Sequence, residues 1–483
     1  MNGNHRVGAH ATLVKAYELE WLHNGRIFES LVDYNAAYLL VASGQRLIPE
    51  DAAAVLLGCL KELRSEGFSV LPYSSERDGL QPNIEAEVTK RIGPDRAGWL
   101  SVGRARQECE LVARQIVERN ALLDVIEKVS GLLAAMVALA EREKRSLMPF
   151  YTWAQHAEPI TFGYFMIANA NAVAADCQRL RLAMASLDRS RAGAGQIVPP
   201  PFDIDREKLA RLLGFSDVIP NSLYAYSSLD IEIQIVSALS IFCTNLARLS
   251  ETFFVWASHE FGFLQFGAEF TGTSYAMPQK KNPYALRLAR PVASRATGVL
   301  NEAIQLHSGS LQIVGNGLIH IPNRVIALMD EVCVLCDVMA AALPTMSLAH
   351  DRMRETLKSG WAQASQFVYY LSGIDGISFR QAHSICGRVV RATVEGADSP
   401  ALTQALVETA IEEVVGRKII IEMDELRQAL DPAEGIQTRT NGGPAAVSLE
   451  REGAILKQTL AVNREFIHVK RVHLADATKA LYG

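Results

Sequence analysis

Only seven cysteines occur in 483 residues, an odd and sparse set that excludes a disulfide framework and fits reduced thiols. Cys333 and Cys336 form an isolated C-x-x-C inside the apolar run EVCVLCDVMAAAL and read as core residues rather than metal ligands. No phosphate-cradling glycine loop, nucleotide motif or metal-ligand cluster stands out, so no metal and no cofactor is expected. An excess of one charge sign is missing too: 48 Lys plus Arg face 53 Asp plus Glu, and a net charge of -5 gives no general attraction to nucleic acid or to an anionic membrane. Any affinity for an anionic substrate has to be local. The N-terminal MNGNHRVGAHATLVKAYELEW lacks the apolar stretch of roughly 7 to 15 residues that marks a secretory signal. No later window offers about 18 uncharged apolar residues. A cytoplasmic protein without a membrane partner is expected.

Proline is absent from the longest patterned stretch. From Arg104 to Arg145 the chain holds one glycine and no proline, and apolar residues return every third or fourth position. Similar runs occupy about Thr161 to Ser190, Leu229 to Ser258, Pro283 to Leu306 and Arg324 to Ala342. Five such runs predict an all-α fold built on an elongated bundle. Shorter elements lie before it, from Glu18 to Gly67, and after it, from Leu357 onward, where GIDGIS, GADSP, DPAEG and NGGPA interrupt the pattern. Three units follow: an N-terminal helical domain over 1–105, a central long-helix bundle over 106–355 and a small C-terminal helical domain over 356–483. A 52.9 kDa chain cannot cover helices of this length on all faces. Packing of bundle against bundle between subunits is expected.

The stretch richest in chemistry is Gly272 to Arg287, GTSYAMPQKKNPYALR. It joins two predicted helices, with Asn282 suited to an N-cap and Pro283 to the first helical position. On spacing alone it reads equally well as a basic surface loop before a capped helix. The run Ser274-x-x-Met277-Pro278-x-Lys280-x-Asn282-Pro283, however, resembles the signature of the fumarase/aspartase superfamily, and the wording QKKNP resembles argininosuccinate lyases. Two upstream segments agree in order and distance. SVGRARQ, Ser101 to Gln107, is similar to the family's G-R-S-R-N-D, and MPFYTWAQHAEPITF, Met148 to Phe162, to M-P-G-Y-T-H-x-Q-x-A-Q-P-x-T-F.

The resemblance implies a central five-helix domain that assembles as a homotetramer around a twenty-helix core, with each active site built from segments of three subunits. It also implies trans-elimination from an N-substituted aspartate or related amino diacid. That chemistry removes a weakly acidic proton beside a carboxylate, passes through an enediolate-like dianion and expels an amine. A base is needed on one side, and preorganised cations and N–H donors on the carboxylate. Ser274 matches the family's catalytic serine; Lys280 and Asn282 stand where charge and an amide donor reach the developing dianion. A free serine is too weak a base, so surrounding donors and cations have to displace its proton. Arg106 and Thr152 match positions that hold substrate carboxylates, and Gln155 keeps the glutamine of its segment.

Departures are equally informative. Trp153 replaces the family's histidine and Arg287 the glutamate that partners it, so the usual relay pair is missing as a pair. Gln107 stands for Asn, Ala105 and Tyr275 for serines, and Gln81 for a histidine. Where argininosuccinate lyases read Y-N-x-D-L-Q-x-D-K, this chain runs from Pro322 to Asp330, and Ala327 and Asp330 cannot replace Gln and Lys. His156 could supply a substitute acid or base, or be an ordinary polar residue. Arg287 could hold an extra substrate carboxylate or a salt bridge. Trp153 could fill the vacated space or form a wall for a bulkier amine. The expected activity is a C–N lyase for a diacid other than argininosuccinate, with a genuine argininosuccinate lyase and a non-catalytic relative as alternatives.

Overall fold

The computed structural model describes Lys15, Glu18 and residues 21–74, 77, 79–195, 197–309, 317–358, 361–394 and 402–483. The fold is all-α. Helices α1 (Phe28–Gly44), α2 (Glu50–Glu66) and α3 (Leu80–Ile92) precede α4 (Arg106–Arg142), whose 37 residues extend about 55 Å. The bundle continues with α5 (Phe162–Leu187), α6 (Asp230–Trp256), α7 (Ala289–Gly309) and α8 (Gly317–Ala342). The C-terminal part contributes α9 (Ala364–Ser372), α10 (Phe379–Val394), α11 (Gln404–Val415) and α12 (Ala446–Tyr482).

Side-chain contacts fix the helix directions. Gln115, near the head of α4, donates to the carbonyl of Leu187 at 3.1 Å, and Phe162 N donates to Ser146 O at 2.8 Å beyond its foot, so α5 runs antiparallel. Arg290 faces Glu251 at 3.7 Å and His307 Nε2 lies 3.5 Å from Asp230, so α7 runs back along α6. Lys128 pairs with Asp337 at 2.9 Å and Arg142 donates to Pro344 O at 2.9 Å, which makes α8 parallel to α4. The foot of the bundle therefore gathers the C-terminal ends of α4, α6 and α8 and the N-terminal ends of α5 and α7.

Leu132, Met136, Leu180, Leu239, Phe242, Leu246, Val332 and Met339 belong to one continuous buried cluster. By length and composition α6 could cross a membrane; here its apolar residues pack between α5 and α7. All seven cysteines are free, and burial pushes the thiols of Cys177 and Cys243 up to about 11 and about 12. A second buried cluster joins α1, α2, α3 and the head of α4, and a third joins α9, α10 and α11. Residues 356–483 accordingly divide. The segment around α9 to α11 has its own core, whereas α12 returns along the bundle, with Lys144 paired to Glu450 at 3.2 Å and Arg471 to Glu127 at 3.0 Å.

One local expectation fails. Pro283 does not open an α-helix, since only a short 3-10 turn, Tyr284–Leu286, follows it, and Asn282 is not an N-cap. Strands β3 (Thr271–Thr273) and β4 (Lys281–Pro283) pair antiparallel with Gly272 opposite Asn282, and α7 begins only at Ala289. The cause is visible at Gly272. The Tyr284 ring fills the space a Cβ would take there, so the chain turns back over the glycine before winding into a helix.

Candidate active site

Three separated segments carry the residues that the sequence singled out. The first is the head of α4. Ala105 is extended there (φ -101°, ψ 141°) and offers no capping side chain, and Arg106 and Gln107 form the first helical positions. Tyr226 donates its hydroxyl to Gln107 Oε1 at 2.6 Å, a partner 119 residues away that no sequence signal announces. Beneath them the packing is dense and polar. Gln81 and Asn35 exchange amide hydrogen bonds at 2.9 and 3.2 Å, and Arg104 donates to Asn35 Oδ1 at 2.6 Å while its guanidinium lies 4.7 Å from the Tyr38 ring centroid. Gln81 is thus a buried amide held in place by Asn35. Glu110 accepts the N–H groups of Leu80 and Gln81 at 2.8 and 3.3 Å, which anchors the start of α3 to α4. Gly79, with φ 90°, is required at that junction because a Cβ would strike Glu110.

The same face of α4 continues as buried charge. Arg114, Glu118, Arg191 and Glu232 are almost fully enclosed. Arg191 holds Glu232 at 2.8 Å, whereas among the described residues neither carboxylate oxygen of Glu118 has a hydrogen-bond partner. Burial, followed by the neighbouring Glu232, holds the Glu118 carboxyl well above the usual range, with Arg191 and Arg114 opposing.

The second segment is a hairpin at the foot, β1 (Leu147–Thr152) paired with β2 (Gln155–Thr161). Its two-residue tip is Trp153-Ala154, with φ 54° and 60°, the positive values that a tight primed turn demands and that glycine or asparagine normally supplies. Each costs about 1–2 kcal/mol in an L residue. Trp153 is 98% exposed. Thr152 and Gln155 flank it, also exposed. His156, opposite Tyr151, packs its ring edge-on against the tyrosine at 5.2 Å, and Tyr151 touches Phe261 at 5.5 Å. Thr161 ends the hairpin and caps α5 by accepting from Tyr164 N at 3.1 Å.

The third segment is the β3–β4 hairpin, also at the foot, since it follows α6 and precedes α7. Ser274 is half-buried, just beyond β3, and Lys280, Lys281 and Arg287 are exposed. Arg287 lies with its guanidinium carbon 5.2 Å from the Tyr284 ring centroid. One chain brings His156, Thr152 and Trp153 to the same end as Ser274, Lys280 and Asn282. It leaves Arg106 and Gln107 at the opposite end of α4, about 55 Å away. Among the described residues no group of three or more His, Cys, Asp or Glu is arranged to hold a metal.

The comparisons agree with this architecture. The family described as Lyase matches residues 9–298. The argininosuccinate lyase of Methanothermobacter thermautotrophicus is 30% identical over 421 residues, 87% of this chain and 90% of that one. Argininosuccinate lyase 1 of Shouchella clausii is 29% identical over 443 residues, 91% and 89% of the two chains. Among solved structures, EDDS lyase in complex with formate superposes with a TM-score of 0.87 at 24% identity, over 98% of this chain and 95% of that one. The 3-carboxy-cis,cis-muconate lactonizing enzyme from Pseudomonas putida has a TM-score of 0.71 at 17% identity, over 94% and 97%. With its helices, its hairpins and its signature in agreement, the chain belongs to the fumarase/aspartase superfamily as an argininosuccinate lyase-like carbon–nitrogen lyase.

Proposed function

We propose that the enzyme makes or breaks the C–N bond of an N-substituted aspartate or related amino diacid other than argininosuccinate, with fumarate or a similar unsaturated acid as the second partner. The observation that carries this reading is the β3–β4 hairpin. It presents Ser274, Lys280 and Asn282 together, and no carboxylate among the described residues pairs with Lys280 or Lys281. Ser274 is the general base: nearby cationic charge stabilises its alkoxide, which takes the proton from the carbon beside the substrate carboxylate. Lys280 and Asn282 face the dianion that follows, and the amine then departs. Arg106, Gln107, Thr152, Gln155 and Trp153 line the substrate. His156 is a secondary acid–base group, held against Tyr151.

The active unit is a homotetramer whose sites draw on three subunits. The separation of Arg106 from Ser274 along α4 supports it, because neighbouring bundles packed antiparallel would bring head and foot together. A groove of about 960 Å³ runs along α5, α6 and α7, lined by Phe165, Ala172, Ala247 and Thr297. Ile241, Val255 and Ile304 on the same helices are exposed apolar residues. Such faces are suited to a second copy. Reduced, free cysteines fit a cytoplasmic setting.

Genuine argininosuccinate cleavage is disfavoured by Asp330, which replaces a lysine of that family and is engaged by Arg26 through both carboxylate oxygens. Mixing the enzyme with fumarate and a panel of amines, and following the loss of fumarate's ultraviolet absorbance, tests the proposal. Addition of an amine supports it. Argininosuccinate should turn over far more slowly than the preferred adduct, and cleavage at a rate of order 1 to 1000 per second would reverse the ranking.

A further inference from the structure

The segment from Thr271 to Leu288 carries Lys280, Lys281 and Arg287 and no acidic residue. Among the described residues these cations have no carboxylate partner, although Arg290 and Arg295, a little further along, pair with Glu251 and Glu331. Arg287 is also fixed in place. Its guanidinium lies over the Tyr284 ring, and that ring occupies the Cβ space of Gly272, two residues before Ser274. The stack of Gly272, Tyr284 and Arg287 therefore holds a permanent charge beside the hairpin that bears the base.

The aspartyl half of the substrate brings two carboxylates. In the site proposed above, Lys280, Asn282, Arg106 and Thr152 already provide for them. Arg287 is a cation beyond those four, and an anion on the ligand is its natural complement. A diamine or guanidine would instead add positive charge against Lys280, Lys281 and Arg287. We propose that the amine half is an amino acid joined through its α-nitrogen, with its carboxylate bound by Arg287 and an apolar side chain packed on Trp153. The second contact explains why an indole is held in full exposure on a positive-φ turn, an arrangement that needs a contact to justify its strain. The inference rests on the lyase reading and names the substrate class of that site. In the addition direction the nitrogen lone pair forms the C–N bond at one alkene carbon, a proton is added at the other, and the nitrogen loses a proton to solvent. No oxidant or reductant is needed.

The test uses the full chain with fumarate and six amines: glycine, leucine, phenylalanine, the decarboxylated counterparts of the last two, 3-methylbutylamine and phenethylamine, and ethylenediamine. Wild type should favour each amino acid over its decarboxylated counterpart by about tenfold to a hundredfold in kcat/KM, the scale of a charge-assisted hydrogen bond. Arg287→Gln should bring that ratio toward one, Arg287→Lys should keep part of it, and Arg287→Glu should move the preference to ethylenediamine. Trp153→Ala should lower the activity with phenylalanine relative to glycine. Size-exclusion elution unchanged in the variants excludes misassembly as the cause. Equal use of amines with and without a carboxylate, or a ratio that no Arg287 variant moves, would overturn the inference while leaving the lyase reading intact. A wild type that adds no amine at all overturns both.

Discussion

The head and the foot of the bundle treat their polar groups in opposite ways. At the head, Arg104, Asn35 and Gln81 are locked to one another, Glu110 holds the start of α3, and Tyr226 holds Gln107. At the foot, Trp153 and Tyr275 stand in full exposure, and Lys280, Lys281 and Arg287 have no acidic partner among the described residues. A locked network costs no reorganisation when a ligand binds; cations on exposed hairpins stay hydrated and are open to pairing with an incoming anion. In the proposed function the two ends are complementary: the head would receive the ligand and the foot would bring the reactive groups to it.

The most severe way to challenge that division is to remove the proposed base. Ser274→Ala should lower kcat by about a hundredfold to ten-thousandfold with KM little changed, because Lys280 and Asn282 remain to bind carboxylates. Steady-state kinetics on the preferred substrate decide it, and near-normal turnover beside an inactive His156→Ala would move the chemistry to the histidine. The division also predicts complementation. Arg106→Ala and Ser274→Ala lie on opposite ends, so tetramers reassembled from a mixture of the two inactive variants should contain some sites with both groups intact. Recovery of activity on mixing supports shared sites, and its absence in mixed tetramers argues against them.

A smaller effect probes the buried charge under the head. The Glu118 carboxyl has its folded pKa raised, chiefly by burial. The sign follows from linkage: below the ordinary carboxyl value of 4.5 its contribution is fully present, and it is lost as the pH climbs through the raised value. Glu118→Gln cannot ionise, so it should gain stability relative to wild type as the pH rises, by about 1–3 kcal/mol near neutrality. Thermal melts at acid and neutral pH would show the two proteins converging at low pH. A constant difference across pH would mean that the Glu118 carboxyl titrates in the fold as it does in the unfolded chain.

What the sequence reveals follows the range of the forces involved. The long helices were legible because a 3.6-residue apolar period is local, and the α4, α5 and α6 boundaries fall within a few residues of those periods. The β3–β4 hairpin was not, because Asn282-Pro283 is a good helix start until the Tyr284 ring settles on Gly272. Propensity was overridden there by a contact twelve residues apart. The return of α12 onto the bundle, where Leu449 and Leu456 join the central core, is a long-range contact and was equally hidden. The motif residues themselves were readable, yet their division between two ends of one chain was not.

The smallest expected effect tests how far the head is preorganised, and it falls on a residue that no motif marks. Tyr226 donates to Gln107 Oε1 at 2.6 Å and is itself buried. That hydrogen bond holds the Gln107 amide in one orientation. Tyr226→Phe keeps the ring and its packing but removes the donor, so the expected loss is that of one hydrogen bond, about 0.5–1.5 kcal/mol. If Gln107 binds the ground state and transition state alike, the loss should enter KM, about two- to tenfold, with kcat spared. Gln107→Ala should cost at least as much, and adding Tyr226→Phe to it should change little more, since the hydroxyl would have no amide left to orient. Full additivity of the two substitutions would show that Tyr226 acts elsewhere, and the head would then be less interlocked than the foot is free.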